Sequence, residues 1–115
     1  MRFLKLAIAA MALGYFAGCG DDPLSASVTV KYEVTGTASV VNIDYLDSNG
    51  DLAIINGQEL PWEITFSANR GDQVYLSARR ISETGTVTVK IFKDGTLLDE
   101  DTSTDDTAAS AEGTL

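Results

Sequence analysis

The sequence contains no histidine and a single cysteine, Cys19. Without histidine there is no Ser-His triad, no imidazole base near neutral pH and no histidine metal ligand. One cysteine excludes an internal disulfide, so the domain rests on hydrophobic packing alone. Basic residues are also scarce: eight Lys and Arg stand against seventeen Asp and Glu. Setting aside Arg2 and Lys5, which lie in a leader, leaves six against seventeen, a net −11. A surface this acidic repels phosphates, which excludes nucleic acid as a partner. Carboxylates alone remain for acid-base chemistry, and no pair of them stands out. The reading is therefore not an enzyme, with no cofactor and no metal.

The 115 residues hold one domain and a short leader. Met1–Lys5 carries two positive charges, and Leu6–Phe16 is almost wholly apolar. This is the charged start and apolar middle of a signal peptide, and it is short of the roughly 20 residues that a spanning helix needs. Phe16-Ala17-Gly18-Cys19 resembles a bacterial lipobox, with Phe16 in place of the usual Leu. The resemblance implies cleavage after Gly18 and lipidation of Cys19, and acyl chains hold a protein on a membrane at about 0.8 kcal/mol per buried CH₂. An uncleaved anchor helix and an ordinary signal peptide are the alternatives. The expected organisation is a lipoprotein signal peptide over 1–18, lipidated Cys19 and a tether over 19–26, and a folded domain over 27–115. The expected location is the bacterial cell envelope, with the outer membrane favoured in a Gram-negative host because Gly20 follows the cysteine.

From Val28 onward apolar residues alternate with polar ones. Val28, Val30, Tyr32 and Val34 form one face of a first strand, and Val41, Ile43 and Tyr45 one face of a second. Asn49-Gly50 marks a tight turn into a third strand over Leu52–Ile55, with Gln58–Pro61 as a connection. Trp62, Ile64, Phe66 and Ala68 alternate in a fourth. Further strands run through Val74–Ala78, through Val87–Ile91 and, after the Asp94-Gly95 turn, over Thr96–Glu100, with Ala108–Leu115 as an edge. The pattern predicts an all-β fold, an immunoglobulin-like sandwich of about seven short antiparallel strands, with a small barrel as the alternative. Trp62 is expected to anchor the core. Asp44, Asp47, Asn49 and Asp51 invite a calcium reading, but an EF-hand loop aligned on Gly50 has Tyr45 at its first position and Asn56 at its last. A plain turn explains the same residues. The acidic run Asp99–Asp106 reads as a solvated, mobile segment.

Tyr32-Glu33-Val34-Thr35-Gly36-Thr37-Ala38-Ser39 is similar to the opening of the MmpS family, small accessory proteins of RND-type MmpL transporters in mycobacteria. The similarity continues through Asp44-Tyr45-Leu46-Asp47, Asn49-Gly50, Leu60-Pro61-Trp62, Gly85–Ile91 and Asp94-Gly95. It implies a β-sandwich outside the cytoplasm that docks on a membrane transporter and assists export of lipids or siderophores. Family members typically hold the membrane with a helix, whereas this chain carries Cys19. Many also have a cysteine where Val89 stands here.

If the fifth and sixth strands pair, Tyr75, Arg79, Lys90 and Phe92 share one outward face. Aromatic and cationic residues together are favoured at binding surfaces, so these four form the expected partner-docking patch. The expected partners are the membrane, through the lipid, and a transporter protein. A structural or adhesive surface module and a binder of a hydrophobic small molecule are the alternative functions. Replacing Cys19 with Ala should shift the protein out of the membrane fraction or block its processing. Failure of labelled palmitate to enter the wild-type chain would refute lipidation.

Overall fold

A computed structural model describes residues 27–115; the leader, Cys19 and the tether lie outside the described residues. Eight antiparallel strands form two four-stranded sheets. They are β1 (Ser27–Thr35), β2 (Val40–Leu46), β3 (Leu52–Glu59), β4 (Trp62–Asn69), β5 (Gln73–Arg80), β6 (Val87–Lys93), β7 (Thr96–Ser103) and β8 (Ala109–Thr114). The first sheet has the order β4-β1-β6-β7 and the second the order β3-β2-β5-β8. The expected sandwich is present, with eight strands rather than about seven and with no helix among the described residues.

The alternation read from the sequence builds the core directly. Val28, Val30, Tyr32 and Val34 of β1 are buried, as are Val87, Val89 and Ile91 of β6. Val41 and Ile43 of β2, with Val74, Leu76 and Ala78 of β5, face them from the second sheet. Each Val, Leu or Ile side chain among them contributes about 1.5–3 kcal/mol when fully buried. Two strands run longer than expected. β3 continues to Glu59 across a bulge at Asn56–Gly57, where the Asn42 side chain accepts a bond from the Gly57 N–H at 3.0 Å. β7 continues to Ser103.

Tyr32, not Trp62, is the largest fully buried side chain. Trp62 lies on β4, an edge strand, and stays only partly buried against the ring of Tyr45. Tyr32 belongs to the first sheet, yet its hydroxyl reaches the second. It donates to the Leu46 carbonyl at 2.7 Å and accepts from the Tyr75 N–H at 3.3 Å. The β2–β5 ladder ends at Tyr45↔Leu76, so the hydroxyl occupies the next rung. Edge-on contacts with Tyr45 and Phe66 hold the ring in place. Burial pushes its pKa up to about 12.

Two glycines let chain crossings approach backbone to backbone. A Cβ at Gly36 would collide with the Thr86 carbonyl, and one at Gly85 with the backbone of Ala38. Both have positive φ, +141° and +117°. Ala38 donates to Thr86 across this contact at 3.1 Å. At the opposite pole lie the start of β1 and the turns 47–51, 69–72 and 94–95. Asp94 and Gly95 both have positive φ and join β6 to β7 in the tight hairpin read from the sequence. Thr29 and Asp94 bond reciprocally there, and Leu115 exchanges bonds with Gly71 and Asp72.

The buried phenol yields a prediction with a definite sign. Above its ordinary pKa the unfolded chain releases the Tyr32 proton while the folded chain keeps it. The stabilisation is therefore complete below about pH 10 and lost by about 1.4 kcal/mol per pH unit up to about pH 12. Tyr32→Phe should lower stability by about 1–3 kcal/mol at neutral pH, because the Leu46 carbonyl and Tyr75 N–H lose their partner. It should also flatten the alkaline slope. Urea titrations of both proteins at neutral and alkaline pH read the two effects.

Candidate docking faces

The four residues expected to form one patch fall on opposite sides of the molecule. β5 pairs with β2 and β8, whereas β6 pairs with β1 and β7. Strands five and six therefore face each other across the core instead of lying side by side. Lys90 and Phe92 point out from the first sheet, and Tyr75 and Arg79 from the second. The single-patch expectation is corrected: it assumed that consecutive strands pair, and here the chain changes sheets between them.

On the first sheet, Phe92 pairs with Lys31 and Leu97. The Lys31 ammonium sits 5.0 Å from the centre of the Phe92 ring and 3.8 Å from Glu33. Lys90 is flanked across the ladder by Glu33 and Glu100. Both cationic residues thus have anionic neighbours, and Phe92 is half covered. The charges of this face are thus paired, and Leu97, opposite Phe92, is its one large apolar side chain left exposed, at 43%.

The second sheet presents a different surface. Leu52 and Ile54 of the edge strand β3 are 56% and 60% exposed. Leu46 lies opposite Leu52, and Tyr75 follows on β5, so an apolar row crosses the sheet. Asp44 lies opposite Ile54. Arg79 is exposed at the far end of the same face, opposite Asn42. Large exposed apolar side chains grouped on one sheet face mark an interaction surface. The sequence reading placed Tyr75 on an outer face but missed Leu52 and Ile54. The run Leu52-Ala53-Ile54-Ile55 has no polar residue to show which side faces water.

The carboxylates have structural work. Asp47 Oδ1 accepts from the N–H groups of Asn49 and Asp51 at 2.9 and 3.0 Å, which closes the turn considered for calcium. Only Gly50 there has positive φ, so the turn is a longer loop than a two-residue hairpin. The acidic run expected to be mobile is ordered by its own bonds. Asp99 and Asp101 accept from the N–H groups of Glu112 and Ser110 on β8 at 2.9 and 3.0 Å. Asp105 accepts from the Thr107 hydroxyl and N–H and from Ser103, bonds that hold its carboxyl below the usual range. Arg80 ties β5 to the Gly85 carbonyl at 2.8 Å. Among the described residues no group of three or more acidic side chains is arranged to hold a metal.

A cleft of about 590 Å³ opens between the sheets at the pole of the 47–51 turn. Its lining includes Phe66, Ala68 and Val74 together with Asp47, Asn49, Asn69 and Asp72.

The chain is 37% identical over 78 residues to a probable transport accessory protein, MmpS5, of Mycobacterium bovis. The same identity and length hold for siderophore export accessory proteins named MmpS5 from two strains of Mycobacterium tuberculosis. The match covers 65% of this chain and 52% of each relative, so the chain spans about half the length of the curated relatives it matches. A family model described as "Mycobacterium membrane protein" matches residues 20–112, nearly all of the folded domain. On that match and those relatives, the chain belongs to this mycobacterial membrane protein family, the family of the MmpS proteins.

Proposed function

We propose that this chain is a non-enzymatic, lipid-anchored envelope domain that assists a membrane transporter and docks on it through the outer face of the second sheet. The relatives' names supply the transport accessory role. The observation that carries the docking face is the exposure of Leu52 and Ile54 beside Leu46 and Tyr75. The fold does not need these two side chains in water, and an exposed apolar row is costly to a soluble surface unless a partner covers it. The alternative face around Phe92 already has Lys31 over its ring. Lipidation at Cys19 fits the leader and leaves the domain on a tether outside the cytoplasm. In a Gram-negative host the residue after Cys19 favours the outer membrane.

A second reading has its own observation. The cleft between the sheets has Leu46, Phe66, Ala68 and Val74 within a mainly polar lining, which suits a small molecule with an apolar part. Such a ligand should co-purify with the protein and be seen by native mass spectrometry.

In-cell photo-cross-linking tests the docking proposal. A photoreactive residue at position 54 should capture a subunit of an RND-type transporter, and the same residue at position 88, on the opposite face, should not. Capture from 88 alone, or of cell-wall proteins from both positions, would refute it.

A further inference from the structure

We propose that the partner docks by adding a strand to β3, and that the added strand is an extended, basic segment. The inference rests on the docking face proposed above and specifies how that face is used.

The geometry of the β2–β3 hairpin identifies which backbone groups are open. Asp47 donates to Asp51 at 2.9 Å, which makes this a hydrogen-bonded pair. In an antiparallel ladder such pairs alternate with non-bonded ones. The pairs Tyr45↔Ala53 and Ile43↔Ile55 therefore carry the bonds to β2. Leu52 and Ile54 turn their N–H and C=O groups to the free edge, since β3 has β2 as its one neighbour. The two residues with open backbone groups are also the two of β3 with large exposed apolar side chains.

The other side of the sandwich shows how this protein protects an edge. There the N–H groups of Ser110 and Glu112 on β8 are taken by Asp101 and Asp99. Unprotected edges are normally blunted by charge, proline or bulges. β3 has no charged residue and no proline from Leu52 to Gln58, and its bulge lies beyond Ile55. Leu52–Ile55 is left as an uncharged stretch paired on one side only, which suits strand addition.

Charge selects the occupant. Between Lys31 and Arg70 the chain carries six carboxylates, those of Glu33, Asp44, Asp47, Asp51, Glu59 and Glu63, and no basic residue. This interval comprises all of β2, β3 and β4. Asp51 and Glu59 bracket β3, and Asp44 lies beside Ile54. A second copy of this chain would bring the same carboxylates to the contact, so the pattern disfavours self-pairing. A strand with alternating apolar residues and Lys or Arg at its flanks matches both the apolar row and the acidic border.

The experiment uses the full-length chain in cells, with the photoreactive residue at the outward-facing position 52, and compares wild type with Ile54→Pro and Ile54→Val. Proline removes the edge-facing N–H while leaving the bonds to β2 intact, and valine keeps both the N–H and an apolar side chain. Capture of the partner should fall by about tenfold or more in Ile54→Pro, as expected for losing a backbone bond and its apolar contact. It should stay within about threefold in Ile54→Val. The partner peptide cross-linked to wild type should carry more Lys and Arg than Asp and Glu. Hydrogen exchange on the purified wild-type complex gives a readout that needs no variant: the Leu52 and Ile54 amides should exchange at least about tenfold more slowly than in the free protein. Equal capture by wild type and Ile54→Pro, unprotected amides, an acidic partner peptide, or cross-links only to a second copy would each overturn the proposal. Protected amides with a basic partner that is not a transporter would uphold strand addition while removing the transporter reading.

Discussion

The hydroxyl of Tyr32 is the constraint on which the two sheets depend for their relation to each other. Apolar packing between Val, Ile and Leu faces is non-directional and tolerates sliding. A buried phenol is different, because its hydroxyl needs partners and the interior offers few. Here they exist where β2 and β5 part company, at Leu46 and Tyr75. Placing the hydroxyl there fixes β1 against the second sheet and sets which residues of β2 face inward. Through the β2–β3 pairing the same choice sends Ala53 and Ile55 inward and Leu52 and Ile54 outward. The core thus determines the composition of the exposed face.

The lateral sides of the sandwich are treated unequally. Where β7 meets β8, carboxylates serve as hydrogen-bond acceptors for backbone that would otherwise face water. Where β3 and β4 run, the carboxylates stand around the edge without closing it. The chain as a whole carries a formal −9, and that excess resists association with copies of itself. One kind of side chain therefore seals one side and sets a charge preference at the other.

Much of the fold was legible in the sequence because half-buried strands show period-two alternation. β1, β2, β4, β5 and β6 were all readable this way, and Asp94-Gly95 marked its hairpin. Strand pairing was not legible. Two connections, β2–β3 and β6–β7, are hairpins, while the others carry the chain from one sheet to the other. The turn at Asn69–Asp72 has the residues of a hairpin and joins two sheets instead, so local chemistry does not reveal the crossing. The residues expected to dock suffered from this directly, since Tyr75 and Phe92 were placed together on an assumed pairing. Trp62 misled through size: an edge strand cannot fully enclose so large a ring. Asp99 and Asp101 looked solvated because composition does not show that their partners are the N–H groups of β8.

The pole where β1 begins also holds the 47–51 turn and, through it, the start of β3. If the chain is held to a membrane ahead of β1, as proposed, this pole faces the lipid and presents Asp47, Asp72 and Asp94, whose charges are repelled by anionic headgroups. Under that arrangement Leu52 is at the lipid-proximal end of β3, and a transporter would have to present its own strand low, just above the headgroups, to meet it.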